Sequence, residues 1–260
     1  MEDHHSSAVS RRDLLSLSTV ALAGAVPLAV YPGSDTPALA AASPSQVHGH
    51  GHKPGVTPPE DLMREHGVLK SILLVYREGI RRIQRGEQVP VQPLHAAARI
   101  IRDFIERYHE YLEEKYVFPR LREAGRLRHT VSVLELQHKR GREVTARILA
   151  STHHSRASAH QRHALVSDMA AFIRMYEPHE AREDTVVFPV FRKVTPAREF
   201  ARLGEVFEAE EHRRFGQRGF TAVVHRVADI EKALHIHDLS QFTPRKSSPH
   251  HHRHGRTSAR

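Results

Sequence analysis

Cysteine is absent from the 260-residue chain, which excludes disulfides and thiolate metal sites. Any metal must then be held by imidazole and carboxylate, a donor set that suits iron, manganese, zinc or copper. Long apolar runs are scarce as well: one moderately apolar stretch, Leu14 to Val30, stands near the amino end and none like it follows. No nucleic-acid-binding motif accompanies the formal net charge of +9. Lys and Arg are spread along every segment and interleave with Glu, the pattern of solvated helix faces. No nucleophile or general acid–base constellation is visible either. With 39% hydrophobic residues, the chain has apolar material for one core of ordinary size. Histidine, by contrast, is abundant, at 23 residues.

Residues 1–42 read as a removed signal. Ser10-Arg11-Arg12-Asp13-Leu14-Leu15 resembles the twin-arginine export signature, with Leu14 where Phe is usual. The apolar run behind it is rich in Ala and broken by Gly24 and Pro27, and Ala38-Leu39-Ala40 or Ala40-Ala41-Ala42 offers a cleavage site. Leu14 to Val30 is long enough to just span a bilayer, but Pro27 and the small-residue sites favour cleavage. The expectation is a periplasmic or extracellular protein with no stable membrane span, exported already folded. Residues 43–59 form a linker rich in His, Gly and Pro that includes His48, His50 and His52. Residues 239–260 form a disordered tail rich in His and Arg that includes His250, His251, His252 and His254. Such tails either chelate metal loosely or are only solvated.

The stretch from Tyr108 to Pro119, YHEYLEEKYVFP, returns from Pro178 to Pro189 as PHEAREDTVVFP. Each copy holds a His-Glu pair (His109-Glu110, His179-Glu180) and a second Glu four residues after the His (Glu113, Glu183). Each also ends in Phe-Pro (Phe118-Pro119, Phe188-Pro189). On a helix, residues four apart share a face one turn apart, so each His and its Glu reach a common point. The spacing alone is weak, since a chain this rich in His and Glu contains about two such pairs by chance. The longer shared string and its surroundings carry the signal.

Four amphipathic segments surround the repeats. The first begins after Pro59, with Glu60 and Asp61 at its amino end, and places His66 on a stripe with Leu62, Leu69, Leu73, Tyr76, Ile80 and Ile83, ending at Gly86. The second starts near Pro93, stops by Pro119 or frays to Gly125, and places His109 four residues after Ile105. The third, about Thr130 to Thr152, places His138 four after Leu134. The fourth, about Ser158 to Val187, carries Leu165, Met169, Phe172 and His179, and Pro178 should kink it or remove one ladder bond. Short connections make this an all-α, up-down-up-down four-helix bundle over residues 60–192, with two further helices over 193–238. In an alternating bundle the four His then lie roughly 9–14 Å from one end. Four His and two Glu at one level of an apolar core are very costly unless a metal centre satisfies them. Phe118 and Phe188 should pack over that level. Glu110, Glu180 and Asp184 lie one residue off the inward face. Glu208, Glu211 and His212 read as a charged exposed face, and His153, His154, His160 and His163 as solvated.

With these residues in place, the sequence resembles the hemerythrin-like, HHE cation-binding family over roughly residues 60–192. The matching residues are Glu65-His66, His109-Glu110 with Glu113, Gln137-His138, and His179-Glu180 with Glu183. The resemblance implies a non-haem centre of two iron ions, other divalent metals being possible. It implies His66 and His109 on one ion, His138 and His179 on the other, and Glu113 and Glu183 bridging. Two positions depart from the oxygen-carrying members. Arg142 stands where those have a further His, and both Glu183 and Asp184 compete for the place of their Asp. Such a symmetric site implies binding or reduction of a small oxidant (O2, peroxide or NO). The alternatives are iron sequestration without turnover and a purely structural exported bundle.

Overall fold

The computed structural model describes residues 56–88, 91–153 and 158–244. The signal-like segment, residues 43–55 and 245–260 of the His-rich tails, and His154 lie outside them. Among the described residues the chain is six helices without a strand. Helix α1 is Pro58–Gln84. Its two prolines sit in the first turn, where the missing N–H groups have no intrahelical partner to lose, and the Glu60 carboxylate accepts from the Thr57 N–H at 2.9 Å. Helix α2 spans residues 91–123, α3 is Arg128–Ser151, and α4 spans 159–194. Ser158 starts α4 with a reciprocal cap, its N–H to Gln161 Oε1 at 2.7 Å and its Oγ accepting from the Gln161 N–H at 3.2 Å. Helices α5 (Ala197–Phe215) and α6 (Gly219–Ala233) follow.

Helices α2 and α4 do not stop at their Phe-Pro pairs. Each passes through a wide π-helical turn, Glu113–Val117 in α2 and Glu183–Val187 in α4, and resumes as α-helix to Glu123 and Val194. The Phe118 N–H bonds to the Glu113 carbonyl and the Phe188 N–H to the Glu183 carbonyl, five residues back. Pro119 and Pro189 have no N–H to give and would crowd the carbonyl four residues back; a widened turn just before them removes the clash. Pro178 sits within continuous α-helix and, having no N–H, removes one ladder bond there, the second of the two expected effects. A third π-helical stretch, Ile101–His109 in α2, runs into the start of the first motif.

Helix α1 packs on α2 and α4, and α3 packs on the same two, closing a four-helix ring. Leu62, Leu69, Ile105, Leu134, Met169 and Phe172 are buried within it, so the apolar stripes face inward as the periodicity requires. The last two helices cover the α1/α2 face. Phe215 meets Tyr108 edge-on at 5.3 Å, and the Arg64 guanidinium lies over the Phe220 ring at 4.5 Å. This covering corrects one expectation: Glu208 and His212 are exposed, but Glu211 is buried and accepts from the Phe220 N–H at 2.9 Å. His153, His160 and His163 are exposed. Where a disordered tail was expected from residue 239, the chain makes a 3₁₀ turn at Leu239–Phe242, with the Ser240 N–H donating to Asp238 Oδ1 at 2.9 Å. Among the described residues no helix is long and apolar enough to cross a membrane.

Candidate metal centre

Each helix of the ring contributes one imidazole to a common level. His66, His109, His138 and His179 are no more than 3% exposed, and Glu113 and Glu183 are fully buried. Glu113 Oε2 lies 3.6 Å from His109 Nε2 and 3.5 Å from His138 Nε2. Glu183 Oε2 lies 3.4 Å from His66 Nε2 and 3.1 Å from His179 Nε2. Two overlapping donor sets result: His66, His109, Glu113 and Glu183, and Glu113, His138, His179 and Glu183, with the donor atoms of each set within 4.8 Å of one another. The carboxylates are the shared members.

The outer nitrogen of every ring has its own acceptor. His66 Nδ1 donates to Asp184 Oδ1 at 2.7 Å, and His109 Nδ1 to Glu65 Oε2 at 2.9 Å. His138 Nδ1 donates to Glu114 Oε1 at 3.0 Å, and His179 Nδ1 to Gln137 Oε1 at 2.9 Å. An acceptor at Nδ1 fixes the tautomer and turns the Nε2 lone pair inward. The consequence is sharpest at His138 and His179, whose Nε2 atoms stand 3.2 Å apart. Two lone pairs facing each other at that distance repel unless a positive charge sits between or beside them. His66 Nε2 and all four oxygens of Glu113 and Glu183 are likewise buried without a hydrogen-bond partner. Buried polar atoms of native proteins are satisfied as a rule. These converge on one space, and their chemistry fits cations bound among them.

The two halves repeat each other around this level. Phe188 stacks on His66 at 5.7 Å, and Phe118 stacks on His138 at 5.6 Å. Arg142, four residues past His138, holds Glu110 at 2.7 Å and Glu114 at 2.6 Å. Lys70, four past His66, lies 3.4 Å from Glu180 and 3.7 Å from Asp184. The partners are therefore not spectators. Glu110 and Glu180, expected off the inward face, are buried at 1% and 4% exposure. Glu110 also accepts from the Tyr176 hydroxyl at 2.7 Å. Asp184 is turned to His66 Nδ1 while Glu183 faces the centre, which separates the two acids at that point of α4. Glu65, Gln137, Glu114 and Asp184 as imidazole partners escaped the sequence reading. The visible signal was an acid or amide directly before His66 and His138 and directly after Glu113 and Glu183.

Electrostatics follow the same layout. Burial pulls His66 down, but the Asp184 carboxylate on its Nδ1 and the nearby charge of Glu183 outweigh it and raise the imidazole to about 9. Burial, reinforced by His66, holds His109 well below its ordinary value. Burial and the neighbouring Glu183 push Glu113 up, whereas His179 and His66 hold Glu183 down against its burial. Two carboxylates and four imidazoles at one buried level attract positive charge strongly.

A helical bundle whose four helices each send a His to one level, with two shared carboxylates, defines a metal-binding carboxylate bundle. The family model for the hemerythrin HHE cation binding domain matches residues 57–191, and the chain belongs to that family. It is similar to proteins described only as uncharacterized, one from Mycobacterium bovis and two from strains of Mycobacterium tuberculosis. Each is 56% identical over 239 residues, covering 92% of this chain and 92% of the relative. No solved structure matches the chain significantly.

Proposed function

We propose that His66 and His109 hold one iron ion, that His138 and His179 hold a second, and that Glu113 and Glu183 bridge them. The observation that carries this reading is the pair of overlapping donor sets sharing both carboxylates. When bound, such a centre supplies electron exchange with small oxidants, so we assign the protein to binding or reducing O2, peroxide or NO. The chain's own residues orient and enclose that chemistry. Asp184, Glu65, Glu114 and Gln137 fix the rings, and Phe118 and Phe188 cover the level and keep water out. Arg142, where oxygen carriers resembling this chain place a further His, is turned outward to Glu110 and Glu114, which favours a symmetric centre.

The completeness of burial favours a second reading, iron holding without turnover. Absorption spectra of the iron-loaded protein and stopped-flow mixing with O2, peroxide and NO separate the two. Spectral change within turnover times supports the first, and an inert centre supports the second. The Arg11-Arg12 signature and the apolar run behind it support export by the twin-arginine route. Replacing both arginines by Lys should leave precursor in the cytoplasm, and normal secretion of that variant would refute the route.

A further inference from the structure

The two halves of the bundle differ in what covers the outer edge of their imidazoles. Over α1 and α2, Glu211 of α5 comes within 4.8 Å of Asp61 and Glu65, and Phe215 packs on Tyr108. The outer edge of His109 is thereby sealed. The equivalent positions of the other half, Gln137 on α3 and Pro178 on α4, instead line an open cavity of about 250 Å³. Its floor is His179 with its partner Gln137, and its rim carries the exposed side chains of His129 and Arg182.

Every polar group the cavity offers is suited to an anion. Gln137 Oε1 is taken by His179 Nδ1, so the amide nitrogen is the part available, as a donor. Arg182 brings a full positive charge, and no carboxylate is among the lining residues. His129 and Thr130, in the first turn of α3, complete the polar part of the lining. Val133 and Leu134 form an apolar wall that limits the size of the occupant. Nothing comparable can bind at the sealed half, where Glu65 and Asp61 would repel it.

We propose that the α3/α4 cavity is a binding site for a small oxyanion, a carboxylate or an inorganic anion such as nitrite, held between Gln137 and Arg182. It lies beside the His138/His179 half of the centre and shares His179 as its floor, but the groups that hold the anion, Gln137 and Arg182, are outside the six metal donors. Calorimetric titration of the full chain of measured metal content, with sodium nitrite and sodium formate at fixed ionic strength, tests it. One saturable site per chain is expected for at least one of the two anions. Arg182→Glu should weaken binding by about tenfold or more. So should Gln137→Glu, which keeps an acceptor for His179 and copies Glu65 of the other half. Arg174→Glu, on the same helix but away from the cavity, should leave binding unchanged. Absence of saturable binding by either anion overturns the proposal, as does binding that ignores both variants, because the anion then sits elsewhere, the metals included. Anion binding that follows this pattern in protein holding fewer than two ions would sink the di-iron reading and leave the site standing.

Discussion

Glu65 and Gln137 stand at equivalent points of the two halves and make the same hydrogen bond, each at 2.9 Å to the Nδ1 of a buried imidazole. One is a carboxylate and the other an amide, so geometrically matched positions receive different charge. A carboxylate on Nδ1 makes the imidazole a stronger donor than an amide does. The His66/His109 position should therefore bind the first metal ion.

Glu65→Gln keeps an acceptor but removes its charge, so it is expected to erase that order by lowering affinity at the His66/His109 position, by less than the roughly 10–100-fold that loss of such a partner costs, leaving the other position nearly unchanged. Stepwise cobalt(II) titration followed by visible absorption reads both positions. Equal loss at both, or none, would count against the assignment.

Glu113→Ala or Glu183→Ala should disturb both ions together, since each carboxylate belongs to both donor sets. His66→Ala removes a member of one set only. It should empty the position shared with His109 and leave the one at His138 and His179 better occupied. Metal analysis of the purified variants distinguishes the patterns. Each variant should also lose stability, because removing a partner leaves buried charge uncompensated.

Asp184→Ala should cost metal as well, although Asp184 is not turned to the centre. Its carboxylate is the Nδ1 acceptor of His66, and loss of such a partner typically lowers affinity about 10–100-fold. Asp184→Asn retains an acceptor and should recover much of the loss. If the Ala variant holds metal like the parent, the ring is oriented by packing on Phe188 alone.

Glu106 gives a pH signature separate from the donors. Burial, with some help from Glu110, raises its carboxyl to about 7 from an ordinary value of 4.5. Between those values the folded protein keeps a proton that the unfolded chain has released, so stability falls as pH rises through that window and levels off above about 7. Glu106→Gln should flatten this dependence, and by pH 8 it should stabilise the fold by about 2–3 kcal/mol relative to the parent. Denaturant unfolding of both proteins at pH 5 and pH 8 measures the difference.

The helices and their inward His residues were legible because burial imposes a period that the sequence cannot hide, as the Leu62-His66-Leu69 and Ile105-His109-Leu112 spacings show. The pairing of helices around the ring followed from short connections. Besides the imidazole partners, three things were not legible. Glu110 and Glu180 look like exposed neighbours of a His until Tyr176, Arg142 and Lys70 from other helices are seen to meet them. Glu211 is buried only because α5 folds back on α1, a tertiary contact with no local signature. The widened turns were the third. Five residues along a straight α-helix put Phe118 well off the face of Glu113, yet both are fully buried. The sequence allows α2 either to stop by Pro119 or to run on towards Gly125; the helix continues to Glu123, and Pro119 marks the end of the widening.

Those turns divide each of the two long helices into segments with separate rotational settings. A π turn takes up one residue beyond the α-helical repeat, so it acts as a coupling on a shaft: the part beyond is swivelled relative to the part before. In α2 and α4 the coupling begins at the Glu that faces the centre and ends at the aromatic ring that roofs it. The donor-bearing segment and the roof are thus keyed to the bundle independently, and the same rod can turn both a carboxylate and, five residues on, a phenyl ring inward.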